Sequence, residues 1–171
     1  DEIENPNPRD FHLQIAFAPT KQMERNEWFA EKAVEIGIDR LTPLRCAFSE
    51  RKEVKTERLE KIMISAMKQS QQASLAQLDE ITPFETFIAQ PFDGQRFIAH
   101  CYPWPKTSFI KLCEKEKDTL VLIGPEGDFS EEEVKKAIER GFQPISLGKT
   151  RLRTETACLV AVHTVNIINE K

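Results

Sequence analysis

The alternation of short apolar runs with stretches of helical periodicity predicts an α/β domain, a mainly parallel sheet flanked by helices. Three segments carry that prediction. Residues 119–123 read Thr-Leu-Val-Leu-Ile, a continuous apolar run bounded by turn signals, as a central parallel strand requires. Residues 56–74 place Leu59, Ile62, Met63, Ala66, Met67, Ser70 and Ala73 on one stripe at helical spacing. Finally, Ile123 runs straight into Gly124-Pro125-Glu126-Gly127, and a helical pattern begins just beyond.

The remaining elements follow in order. Residues 11–17 alternate apolar and polar, which predicts a half-buried strand. A helix over 22–36 stops at Gly37, a residue suited to the position after a helix end. Residues 41–47 are the second strand. After the helix of 56–74, residues 78–81 predict a short strand, and Pro83 fits the first turn of a short helix ending at Ala89. Residues 96–101 predict a strand whose polar end, His100-Cys101-Tyr102-Pro103, opens into a loop, and 107–114 predict a helix. Ser130 reads as the N-cap of the next helix. Glu133 completes a capping box, and Glu131 to Glu133 suit the positive end of the helix. Gly141 ends it. Residues 142–147 return as a strand, where Pro144 predicts an edge position or a bulge. The last helix, 155–169, is apolar nearly all round. Such a helix is expected to be buried on every side, in the core or against another subunit.

With 171 residues, 40% of them hydrophobic, the chain can form one domain with a substantial core. Residues 1–10, DEIENPNPRD, read as a linker or tail, and 11–171 as the domain. No run approaches the roughly eighteen apolar residues of a membrane span, so no membrane partner is expected. Cys46, Cys101, Cys113 and Cys158 stand far apart without a CxxC pair. That excludes zinc spacing and points to reduced thiols in a cytoplasmic protein rather than a disulfide framework. The net charge of −4 argues against a strong standalone nucleic-acid binder.

Several motifs fail on spacing. Gly148-Lys149-Thr150 resembles the end of a P-loop, but Gln143 stands where a Walker A motif needs its first glycine. No GxGxxG follows a strand. His12, His100 and His163 share no metal spacing, so no metal is expected; His163, inside the apolar helix, reads as a buried, satisfied residue. Two loops remain. One is Gly124 to Gly127; the other runs from Leu147-Gly148 to Leu152-Arg153-Thr154-Glu155-Thr156-Ala157. Each follows a predicted parallel strand, where α/β sheets bind ligands, and each carries glycines that let backbone approach a ligand.

At these residues the chain resembles a known family. LIGPEGDFSEEEV and ISLGKTRLRTETA are similar to the C-terminal domain of the RsmE family of SPOUT-class methyltransferases, which methylate N3 of a uridine in small-subunit (16S) ribosomal RNA. Lys21, Glu24-Arg25, Glu27-Trp28, Glu35-Ile36-Gly37 and Ser49-Glu50-Arg51 extend the resemblance upstream. It implies a C-terminal trefoil knot holding S-adenosylmethionine between three loops. Those would contribute His100; Ile123, Gly124, Pro125, Glu126 and Gly127; and Leu147, Gly148, Leu152, Arg153, Thr154, Thr156 and Ala157. It further implies a homodimer, 16S rRNA or the assembled small subunit as partner, and an N-terminal barrel-like (PUA-like) RNA-binding domain to which residues 1–10 would lead. The chain departs from the family at Asp128, often a glycine there, and at 68–72, which lacks the family's Gly and Arg.

Methyl transfer at N3 is an in-line displacement in which the uracil must lose its N3 proton. Arg153 is the candidate to stabilise charge developing on the uracil carbonyls; the alternative is that it braces the loops through Glu126 or Glu155. Glu126 is a candidate base or a loop brace. Lys21, Arg25, Arg51 and Lys68 are candidates for RNA phosphate contacts. Beside this enzyme stand two alternatives, a non-catalytic RNA- or ribosome-binding module with a relic pocket, and a nucleotide hydrolase.

Overall fold

The computed structural model describes residues 9–72 and 74–170. Most of the expected linker, and Ala73 of the helical stripe, lie outside the described residues. Among the described residues eight strands form: β1 (Leu13–Phe17), β2 (Arg40–Arg45), β3 (Gln77–Leu78), β4 (Thr82–Pro83), β5 (Gln95–Ala99), β6 (Thr107–Ser108), β7 (Thr119–Ile123) and β8 (Gln143–Ser146). Their order is β3-β2-β1-β7-β5-β8-β6, with β4 pairing beside β2. Every pairing among them is parallel. The helices among the described residues are α1 (Met23–Ile36), α2 (Thr56–Gln69), α3 (Phe84–Ile88), α4 (Phe109–Leu112), α5 (Glu131–Glu139) and α6 (Thr154–Ile168). None is long and apolar enough to cross a membrane.

Period-two alternation divides the core between the two faces of the sheet. On one face, Leu13, Ile15 and Phe17 of β1 and Val121 and Ile123 of β7 pack with Phe29 of α1, Met63 of α2 and Val162 of α6. On the other, Ala16 and Leu122 meet Phe84 of α3 and Val134 of α5. The run at 119–123 is therefore the central strand its composition predicts, buried on both faces.

Residues 11–17 differ from expectation. β1 lies between β2 and β7 and is buried along its whole length, not half-buried. Its one polar residue, Gln14, is accommodated because its amide donates to Thr42 Oγ1 at 2.9 Å. The strand of 142–147 is not an edge: β8 pairs with β5 and also with β6. β6 meets only Ile145 and Ser146, beginning just past Pro144, so the proline tolerates the second neighbour. The helix of 107–114 is the strand β6 followed by the single turn α4; of the strand of 78–81 only Leu78 is in one, at the end of β3, and Pro83 ends β4 as the N-cap of α3 rather than lying in its first turn.

The last helix also differs. Cys158, Ala161, Val162 and Val165 are buried, but the opposite side is open within the chain: Ile167 is 47% exposed. His163 lies on that open side and is exposed rather than buried. The reason is that α6 has α1 and the sheet on one side only.

Register positions the site. Ala99 of β5 lies level with Ile123 of β7 and with Ile145 of β8. The segments leaving these three strands therefore emerge side by side at the C-terminal end of the parallel sheet.

Candidate functional site

Those three segments surround a cavity of about 600 Å³. Its walls are the segment after β5 (His100, Cys101, Lys106), the turn after β7 (Gly124 to Glu126, Asp128) and the loop from β8 into α6 (Ser146 to Glu155, and Ala157). Ile123, Ile145, Leu147 and Leu152 give it an apolar lining.

The turn after β7 is held from every direction. A Cβ on Gly124 would stand 2.9 Å from the backbone nitrogen of Phe129, so only glycine fits the turn. A Cβ on Gly127 would stand 3.3 Å from the Cβ of Phe48. Gly127 thus faces Phe48 and does not line the cavity, so its glycine serves packing within the protein. Glu126 accepts the backbone N–H of Lys21 at 3.0 Å, and Thr154 Oγ1 donates to the carbonyl of Gly124 at 2.9 Å. Beyond the turn, Ser130 and Glu133 form the full capping box that starts α5.

Asp128 had no role assignable from sequence. It adopts φ 70°, the left-handed region. One carboxylate oxygen accepts the N–H of Cys101 at 2.9 Å, and the other accepts the N–H of Phe129 at 2.7 Å. The family's frequent glycine at this position is a signal for the left-handed backbone, not for the hydrogen bonds.

His100, at the end of β5, is 5% exposed. Its Nδ1 accepts the N–H of Tyr102 at 3.2 Å, so in the neutral ring the proton sits on Nε2, which is buried without a partner among the described residues. Burial pushes the His100 pKa below its ordinary value; Lys106 pushes the same way and Asp128 opposes. Tyr102 Oη donates to the carbonyl of Phe129 at 2.6 Å, and Lys106 donates to the carbonyl of Tyr102.

Of the other expected residues, Arg153 is the N-cap of α6, exposed and facing the cavity. It forms no ion pair among the described residues. Its expected partners are taken: Glu155 lies 3.8 Å from Arg25, and Glu126 is held by Lys21. Arg25 therefore lines the cavity at the base of α1. Thr156 does not line it, while Thr154, Glu155 and Ala157 do. Arg51 donates to the carbonyls of Thr20 and Lys21 and braces the rim, and Lys68 lies away on α2. Five basic side chains line the cavity (Arg25, Lys106, Lys149, Arg151, Arg153) against three acidic ones (Glu126, Asp128, Glu155). The surroundings are locally positive in a chain of net charge −4, a distribution composition could not reveal. No cluster of three or more metal-binding side chains occurs among the described residues.

A family model described as an RNA methyltransferase domain matches residues 6–166. The ribosomal RNA small subunit methyltransferase E of Mesomycoplasma hyopneumoniae is 30% identical over 158 residues, covering 86% of this chain and 65% of that protein. The chain thus spans less than two thirds of the length of such curated relatives. A crystal structure described as a probable rRNA-methyltransferase from Porphyromonas gingivalis superposes with a TM-score of 0.91 at 44% identity, over 98% of this chain and 71% of that one. The ribosomal RNA small subunit methyltransferase E of Neisseria gonorrhoeae, solved bound to S-adenosylmethionine, gives 0.84 at 25% identity over 95% of this chain and 68% of that one.

Proposed function

The chain belongs to the family of RNA methyltransferase domains, and from this premise we propose that it transfers a methyl group from S-adenosylmethionine to N3 of a uridine in small-subunit ribosomal RNA. The observation that carries the proposal is a three-walled, locally basic cavity with an Arg153 that has no ion pair among the described residues. About 600 Å³ falls within the range of small-molecule pockets. The apolar lining of Ile123, Ile145, Leu147 and Leu152 suits an adenine, and exposed backbone and charged side chains suit the polar remainder of the cofactor. That the Neisseria relative was solved with this cofactor supports the same reading.

When bound, the cofactor supplies an electrophilic methyl group. The chain's part is alignment and charge. In this reading Arg153, without an ion pair among the described residues, donates to a uracil carbonyl as N3 loses its proton, and Arg25 and Arg151 meet the phosphates beside the target. Glu126, whose carboxylate accepts a backbone N–H, serves the loop rather than the proton. The exposed side of α6, with Ile167, and the neighbouring α4, with Ile110 62% exposed, suit burial against a second copy; a homodimer is part of the proposal. So are a trefoil threading of the C-terminal segment and a cytoplasmic site of action.

Two measurements test it. Calorimetry should show S-adenosylhomocysteine binding and no binding of ATP; ATP binding alone would overturn the proposal in favour of a nucleotide hydrolase. Incubation with undermethylated small subunits and labelled cofactor should yield N3-methyluridine by mass spectrometry. Cofactor binding with no transfer to ribosomal RNA would leave a binding module with a relic pocket.

A further inference from the structure

We infer that Asp128 is a positioning residue of the cavity: its carboxylate clamps the segment after β5 to the turn after β7 and so fixes two of the three walls relative to each other. Resting on the methyl-donor reading above, this makes Asp128 a determinant of cofactor affinity without making it a contact to the reacting atoms.

The argument begins with backbone strain. At φ 70° a residue with a Cβ is disfavoured and glycine is not. Aspartate is among the few side chains that tolerate the region, and it does so here with both oxygens engaged. The two bonds differ in kind. The bond from Phe129 N–H, at 2.7 Å, is local and steadies the turn itself. The bond from Cys101 N–H, at 2.9 Å, reaches across 27 residues to the opposite wall. Cys101 follows His100 directly, so the clamp acts on the backbone that carries the buried imidazole. Glycine at this position would relieve the strain and could make neither bond.

A second tie between the same walls exists, Tyr102 Oη to the Phe129 carbonyl at 2.6 Å, but Tyr102 lies outside the cavity lining. The third wall is joined separately, through Thr154 and Gly124. Asp128 is thus the cavity-lining side chain that joins the first two walls.

The test compares wild type with Asp128→Gly and Asp128→Asn. In Asp128→Gly the Cys101 amide should exchange about tenfold faster with solvent, because its acceptor is gone, while amides of β7 keep their protection. Affinity for S-adenosylhomocysteine should fall about tenfold and KM for the cofactor rise, with turnover at saturating cofactor retained. Thermal stability should stay close to wild type, since strain relief opposes the lost bonds. Asn keeps one accepting oxygen and should fall between, and it carries the test if the glycine variant does not fold. An unchanged Cys101 exchange rate, or wild-type affinity in both variants, overturns the inference. Should wild type itself bind no S-adenosylhomocysteine, the methyl-donor reading fails, and the exchange measurement still decides whether the clamp exists.

Discussion

The two glycine-bearing loops look alike in sequence and are built on opposite plans. In the turn after β7, Gly124 packs on Phe129, Gly127 on Phe48, Glu126 on Lys21, and Asp128 on two backbone amides. The loop after β8 has far less. Ser146 Oγ bonds locally to the backbone of Gly148, residues 148 to 151 are exposed, and a Cβ on Gly148 would meet nothing within 4 Å. One wall is fixed by the fold; the other has room to adjust to what enters. The proposed function, holding a small cofactor while admitting a nucleotide, calls for both properties, and here they lie on different loops.

Matched substitutions would break that comparison most directly. In Gly124→Ala the new methyl would stand 2.9 Å from backbone that cannot move without disturbing β7, so a loss of about 2–3 kcal/mol is expected. In Gly148→Ala there is no clash and the cost is backbone strain alone: at φ 149°, a region that favours glycine, a smaller loss of about 1–2 kcal/mol is expected. Urea unfolding of the two variants measures both; equal losses would mean the loops are equally constrained.

The next effect falls on chemistry rather than folding. Arg153 sits on the loose wall with no internal partner, so Arg153→Ala should leave stability and cofactor affinity near wild type. Methyl transfer to ribosomal RNA should fall about tenfold or more, the scale of losing one positioned donor to a developing negative charge. Single-turnover assays on small subunits with saturating cofactor measure it. Turnover at the wild-type rate would return Arg153 to a surface role and would make the loose wall a matter of access alone.

How much of this could be read from sequence depended on how local the cause was. The strand of 119–123, the glycine turn and the capping box of Ser130 and Glu133 are written within a few residues of one another, and they formed where expected. Pro144 misled because β6 is two residues long and leaves no pattern of its own. His163 misled because the side of a helix that meets solvent within one chain cannot be read from its composition alone. At the site, the family resemblance supplied the three segments. It could not show that Asp128 ties two of them, or that Arg25 takes Glu155 and leaves Arg153 unpaired. Those depend on contacts between residues distant in the chain.

The smallest effect probes the tight side through protons. His100 accepts from Tyr102 N–H with Nδ1, an arrangement available only to the neutral ring. Protonation would set N–H against N–H and place a cation near Lys106, with Asp128 the one facing group that would welcome it. Tyr102 and Trp104, packed against the ring, contribute no compensating charge. The folded pKa is therefore held below the ordinary 6.5, while the unfolded chain keeps that value. Between the two, the unfolded state binds more protons, so stability must fall as pH drops from 6.5 toward the folded pKa and then level off. His100→Asn removes the titration and should flatten that segment of the curve relative to wild type, leaving the slope from carboxylates below it. Urea midpoints taken from about pH 8 down to about pH 5 would show the difference. Parallel curves would mean that the imidazole is less committed to Tyr102 than its geometry indicates, and the wall after β5 would then belong with the adjustable loop.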